Sequence, residues 1–236
     1  MNAPGKRAFR PGIWPSIAAL ALFALTLALG AWQTRRADEK LAVQQRQDEL
    51  ARAAPRELPA LPASAEDYAH RRVSLRGEFV ARGTLLLDNR VMRGTVGYQV
   101  LAPFRIKGAD LHVIVNRGWV AAGARRADLP AIRTPQGESR LEGIALVPAK
   151  PYALGADSEA RPVVQNVVLK RIGERTGLKL QPFVVYQTSD NGDGLVRAWE
   201  RPDAGVDTHR GYAMQWYLLA ALTLVLYAAY GIRRIR

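Results

Sequence analysis

Apolar positions along this chain follow three regimes. From Ile13 to Gln33 the run IWPSIAALALFALTLALGAWQ carries no charge. About 20 such residues are enough to cross roughly 30 Å of hydrocarbon as a helix. From Gly211 to Ile232 the chain is again uncharged, and Gln215 is its only strongly polar side chain. Between these stretches, from His70 onward, the period changes to two. RRVSLRGEFV, GTLLLDNRV, GYQVLAPFRI, DLHVIVNRGWV and ESRLEGIALV are short runs rich in β-branched or aromatic residues, with Gly, Pro or Asp between them. That is the pattern of strands and hairpins. PFVVYQT (182–188) reads as a further strand and GLVRAW (194–199) as a candidate last one. VVLKRIGERTGL (167–178) has helical spacing instead, with Val168, Ile172 and Leu178 on one side and Gly177 as the stop.

The segments between the regimes are polar. TRRADEKLAVQQRQDELARA (34–53) is charged and rich in helix formers, and is expected to continue the first helix out of the membrane. APRELPALPASAED (54–67) is Pro/Ala-rich and reads as a linker. The expected organisation is therefore a tail over 1–12, a transmembrane helix over 13–33, a helical extension and linker over 34–67, a β-rich domain over 68–208, a transmembrane helix over 209–232 and a tail over 233–236. The fold class is a membrane protein with two transmembrane helices flanking a β-rich α+β extracytoplasmic domain. That domain is a small barrel or curved antiparallel sheet plus one helix.

Charge orients this arrangement. The 236 residues carry a formal net charge of +13. Lys6, Arg7 and Arg10 lie before the first span, Arg233, Arg234 and Arg236 after the second, and neither tail holds an acid. Two spans put both tails on one side, and the positive-inside rule makes that side the cytoplasm. Arg35 and Arg36 argue the other way but are outnumbered. A cleavable signal peptide is the competing reading of the first span. Its apolar run is longer than a signal core, and no clean A-x-A site precedes a polar start. The intervening domain is then expected in the periplasm, and the protein in a bacterial inner membrane with both termini cytoplasmic.

Several function classes are excluded. There is no cysteine, hence no disulfide framework, thiolate metal site or covalent c-type haem. The three histidines, His70, His112 and His209, join no nucleophile, zinc or phosphate-binding motif. An enzyme is not expected. The basic surplus lacks the aromatic-basic pattern of an RNA surface, so no nucleic-acid partner is expected either. VNRGWV (115–120) reads as structural, with Gly118 in a tight turn and Trp119 in the core. DNGDGLVRAW (190–199) reads as turns and lacks the last carboxylate of a calcium loop.

His209 stands at the mouth of the second span, with Arg210 beside it. On a helix its face continues through Ala213, Trp216, Ala220 and Thr223, with Tyr212 one turn on. Two readings fit this spacing. In one, a flat macrocycle is ligated by His209, cleared by Ala213 and walled by Tyr212 and Trp216, while Arg210 and the helix N-terminus receive an anionic propionate. In the other, the small face packs on Ala21, Ala24, Ala28 and Ala31 of the first span, and His209 is an interfacial polar residue.

An ordered set of motifs adds to this. LGAWQTRRADEK (29–40), RGEFV (76–80), GYQVLAPF (97–104), VNRGWV (115–120) and DGLVRAWERPDAGVDTHRGYAMQWY (193–217) resemble, in order, those of the Surfeit locus family of cytochrome c oxidase assembly factors, in its bacterial form. The resemblance implies an assembly role, with haem A handled transiently and inserted into the oxidase core subunit. It also implies His209 as axial ligand of the haem iron. The partners implied are the oxidase core subunit, haem A synthase and the lipid bilayer. A non-haem scaffold for an oxidase assembly intermediate is the alternative. The chain departs from the family pattern at Arg210, where an apolar residue is common. The propionate pairing therefore rests on guanidinium chemistry and not on the resemblance.

Overall fold

The computed structural model describes residues 7–9, 11–125, 127–149, 162–199 and 204–234. Lys6, Arg10 and Arg236 of the basic tails lie outside them. In chain order the elements are β1 (Arg7–Phe9), α1 (Ile13–Arg52), β2 (Arg56–Glu57), α2 (Ala65–Tyr68), β3 (Arg72–Phe79), β4 (Leu85–Met92), β5 (Thr95–Ile106), β6 (His112–Ala121), β7 (Ser139–Leu146), β8 (Val163–Val164), α3 (Leu169–Thr176), β9 (Leu180–Gln187), α4 (Val206–Gly231) and β10 (Ile232–Arg234). They fall into two compact units, Met1–Arg46 with Pro202–Arg236, and Gln47–Arg201.

The first unit is built on two helices long and apolar enough to cross a membrane, α1 and α4. Each leaves most of its apolar surface uncovered, with Trp14 at 80% exposure as the extreme. Contacts between Ser16 and Tyr227, Gly30 and Tyr217, and Gln33 and His209 show that the two helices run antiparallel. Backbone pairing of Arg7–Phe9 with Ile232–Arg234 ties the two ends of the unit together.

The face α4 turns to α1 is Val206, Ala213, Ala220, Thr223 and Gly231, all buried. It includes Ala213, Ala220 and Thr223 of the stripe expected from His209, with Trp216 half-buried. The face α1 offers in return is Thr26, Gly30 and Ala37. This corrects the expectation of an Ala21, Ala24, Ala28 and Ala31 seam, since Ala21, Ala24 and Ala28 are exposed. The seam is set by fit: a Cβ on Gly30 would lie 2.7 Å from the Tyr217 ring. Thr26 and Thr223 bury their hydroxyls by returning them to the carbonyls of Leu22 and Leu219, at 2.9 and 2.8 Å, so neither leaves a polar atom facing hydrocarbon.

The second unit is a closed barrel. Its sheet runs β2-β3-β7-β9-β6-β5-β4-β8, and β3 also pairs with β5, which closes β3-β7-β9-β6-β5 into a ring. Closure needs Gly77. It pairs with Ile106 at φ 156°, and a Cβ there would sit 1.8 Å from the Arg105 carbonyl oxygen. The barrel interior is Val73, Leu75, Phe79, Ala102, Phe104, Val113, Val115, Leu141, Phe183 and Val185, drawn from all five ring strands. The amphipathic α3 covers part of the outside, burying Ile172 against Leu85, Leu101, Ile114 and Val184. Gly177 ends α3 in the left-handed conformation, its N–H bonded to the Gly173 carbonyl at 2.8 Å.

Three details depart from the expected pattern. The sheet is mixed: β6 and β9 are parallel, as are β2 with β3 and β4 with β8. No tight hairpin joins those pairs, so nothing local enforces the antiparallel sense. GLVRAW does not form a strand, and only Val196 bridges, to Trp119. The Pro/Ala-rich linker contains α2, whose Tyr68 stacks on Phe183 in the barrel core.

Candidate functional site

The site begins where α4 begins. Gly205, in the left-handed conformation, precedes Val206, and its carbonyl takes the first helical bond from the His209 N–H at 3.3 Å. His209 is thus in the first turn, half-buried beside α1. Gln33 is the last residue of the uncharged run on α1. Its Oε1 lies 2.6 Å from His209 Nδ1. Nε2 of His209 makes no hydrogen bond among the described residues. Thr34 and Tyr217 complete this end of the pair, with their hydroxyls 3.3 Å apart.

The structure does not bring the five expected residues onto one surface. Ala213 is buried, 6% exposed, in the seam with α1, so it is no open shelf for a ring. Trp216 is half-buried on the edge of that seam, and Tyr212 is exposed on the same flank. Arg210 is exposed and leaves α4 on the other flank. Two residues apart at 3.6 per turn, Arg210 and Tyr212 project about 160° apart. His209 fits a haem iron, because one ring nitrogen is anchored and the other has no hydrogen-bond partner among the described residues. Tyr212 and Trp216 fit the apolar edge of a macrocycle on one flank, and Arg210 fits an anionic group on the other. Ala213 serves the helix pairing.

A second polar constellation lies within the barrel. Val113 and Val115 of β6 point inward, and Arg117, the extra residue of a bulge against β5, is completely buried with its guanidinium 5.0 Å from the centre of the Phe79 ring. Its Nη2 donates to Asp193 Oδ2 at 2.9 Å and to the Arg133 carbonyl at 2.8 Å. Asp193 Oδ1 accepts from Arg197 Nη2 at 2.6 Å and from the Leu195 N–H at 3.2 Å. Burial pushes the Asp193 carboxyl up. The hydrogen bonds from Arg197, Leu195 and Arg117 and the charge of Arg197 outweigh it and hold the group below its ordinary value. Burial pushes the Arg117 guanidinium down, against the hydrogen bond and charge of Asp193.

These contacts join VNRGWV to DNGDGLVRAW. Trp119 Nε1 donates to the Arg90 carbonyl at 2.7 Å, and Trp199 Nε1 to the Gln187 carbonyl at 2.8 Å. The structural reading of VNRGWV holds for Trp119, which is buried. Reading DNGDGLVRAW as turns missed the ion pairs of Asp193. The missed signal was Arg117 within an apolar strand run, which demands a buried acid somewhere in the chain. Gln33 was also missed. The antiparallel topology of two spans places the end of the first beside the start of the second, and Gln33 is the polar residue available there.

A sequence model of the SURF1 family matches residues 20–221. Surfeit locus protein 1 of Takifugu rubripes is 25% identical over 234 residues, covering 92% of this chain and 97% of the relative. A SURF1-like protein of Monosiga brevicollis is 24% identical over 225 residues, 89% of this chain and 85% of the relative. An uncharacterized SURF1-like protein of Mycobacterium bovis is 29% identical over 183 residues, 75% of this chain and 66% of the relative. With the matched region running from within the first apolar helix, through the whole barrel, into the second apolar helix, the chain belongs to the SURF1 family.

Proposed function

We propose that this chain is a membrane-anchored assembly factor for cytochrome c oxidase, which holds haem A transiently at His209 for delivery to the oxidase core subunit. The observation that carries the reading is the histidine itself. It stands at the start of an apolar helix, with Nδ1 anchored 2.6 Å from Gln33 and Nε2 without a partner among the described residues. Haem A, when bound, would supply an iron that a neutral imidazole can ligate. The chain's own part is to orient that imidazole through Gln33, to offer Tyr212 and Trp216 as apolar flank, and to place Arg210 where an anionic propionate can pair with it. One protein ligand rather than two suits a carrier that releases its cargo. Haem A synthase is the source this role implies. The protein acts without catalysing a reaction and without contacting nucleic acid.

The apolar helices α1 and α4 support a membrane placement. Their uncovered apolar flanks need an apolar surrounding, and the pairing of β1 with β10 keeps the two basic ends together. The barrel unit is assigned to the periplasmic side of a bacterial inner membrane, with both termini cytoplasmic.

A non-haem scaffold is the second reading. It is favoured by the burial of Ala213, Ala220 and Thr223, which commits the small face of α4 to α1. Deleting the gene and recording a-type haem absorption in membranes tests what the two readings share: oxidase haem should fall in the deletion, and full oxidase content would refute both. Haem on the isolated protein separates them.

A further inference from the structure

Among the described residues Gln33 makes the one hydrogen bond to the His209 ring, and a bond of this kind decides which nitrogen is left for a metal. Gln33 Oε1 is an acceptor only. At 2.6 Å from it, His209 Nδ1 must carry the ring's proton and donate. A neutral imidazole has one N–H, so Nε2 is left with its lone pair. The contact is held from both sides. Gln33 is half-buried on α1, one residue before Thr34, whose hydroxyl bonds the Gly30 carbonyl at 3.0 Å and approaches the Tyr217 hydroxyl. Gly30 in turn lies against the Tyr217 ring. The amide therefore sits at a fixed register of the α1–α4 seam, one turn from its tightest point.

We propose that Gln33 is a positioning residue that sets the tautomer and ring orientation of His209, presenting Nε2 as the nitrogen open to a metal. This rests on His209 being the haem ligand, but the tautomer is a property of the protein without haem. Ligating histidines characteristically donate the other ring N–H to an oxygen acceptor, and loss of that partner costs roughly 10–100-fold in metal affinity. Gln33 fills this place, from the first span, for a ligand on the second.

The experiment uses the full chain in lipid nanodiscs with 15N-labelled histidine. The chain has three histidines, so the His209 signals are those missing from His209→Ala. In wild type without haem, His209 is expected as one tautomer, with Nδ1 protonated and Nε2 bare. Gln33→Leu should release it into a mixture and lower haem occupancy roughly 10–100-fold at limiting haem. Gln33→Glu retains an acceptor oxygen, so it should keep haem and shift the reduction potential of the bound iron negative, because a carboxylate makes the imidazole a stronger donor. A wild-type spectrum with Nε2 protonated, or the same single tautomer in Gln33→Leu, overturns the proposal whatever the haem result. If Gln33→Leu does not fold, the wild-type spectrum and the Gln33→Glu potential decide it. The expected tautomer in a protein that takes up no haem supports the role of Gln33 and refutes the carrier reading instead.

Discussion

Arg117 and Asp193 form an ion pair 2.9 Å long inside the barrel, with side-chain exposures of 0% and 4%. Arg197 joins it at 2.6 Å, itself 8% exposed. The pair links a ring strand to a segment that, among the described residues, makes one β-bridge to the sheet. It therefore fastens the irregular closing segment to the barrel.

Asp193→Ala leaves Arg117 charged, buried and without its acid. Removing one partner of a buried pair costs about 3–5 kcal/mol, so chemical unfolding of the full chain should show a loss of that order. Because the Asp193 carboxyl is held below its ordinary value in the folded protein, the unfolded chain takes up its proton first as pH falls. The stabilisation is complete above about pH 4 and is lost progressively below it. Asp193→Asn should flatten that part of the stability–pH curve.

His112 gives a second window. Burial pushes its pKa down, against a backbone hydrogen bond involving Lys179 and the charge of Asp110, with Arg105 adding to the lowering. Its Nδ1 has no partner among the described residues. The unfolded chain protonates it near pH 6.5 and the folded chain only at lower pH. Stability should therefore fall as pH drops from about 6.5. His112→Leu should remove that slope, and unfolding midpoints between pH 7 and 5 would show it.

Gly30→Val tests the helix seam. The new Cβ meets the Tyr217 ring at 2.7 Å, and overpacking of this kind costs about 1–3 kcal/mol. Thermal inactivation in detergent should occur at lower temperature, and adding Tyr217→Ala should restore much of the loss.

Arg210→Ala tests the residue at which the family resemblance is weakest. If the guanidinium pairs with a propionate, its removal should weaken haem retention by about 1–2 kcal/mol, roughly 5–30-fold. Titration of haem into wild type and variant measures this, and unchanged retention would make Arg210 a solvent-facing flank.

Much of this molecule was legible in the chain, for physical reasons that differ by region. Period-two alternation marked the five ring strands because each has one face in the barrel. The helical stripe of Ile172 and the stop at Gly177 marked α3. The stripe of α4 below His209 is buried at Ala213, Ala220 and Thr223 and only half-buried at Trp216. The seam on α1 was misread because a helix apolar on all sides has no hydrophobic contrast to reveal which face packs. Steric fit decides there, and Gly30 against Tyr217 outweighs four alanines. Two-residue strands such as β2 and β8 carry no period at all. The buried Arg117 was hidden because its partner Asp193 lies 76 residues away in a segment whose composition says turn. Gln33 and His209 are 176 residues apart, and only the antiparallel pairing of the two apolar helices joins them.

The central claim is that His209 is the ligand of a haem carrier. The most direct measurement is the visible absorption spectrum of the full chain, purified from a host that makes haem A, wild type beside His209→Ala. A sub-stoichiometric haem A spectrum is expected in wild type and is expected to be absent from the variant. Equal haem in the two proteins would contradict it.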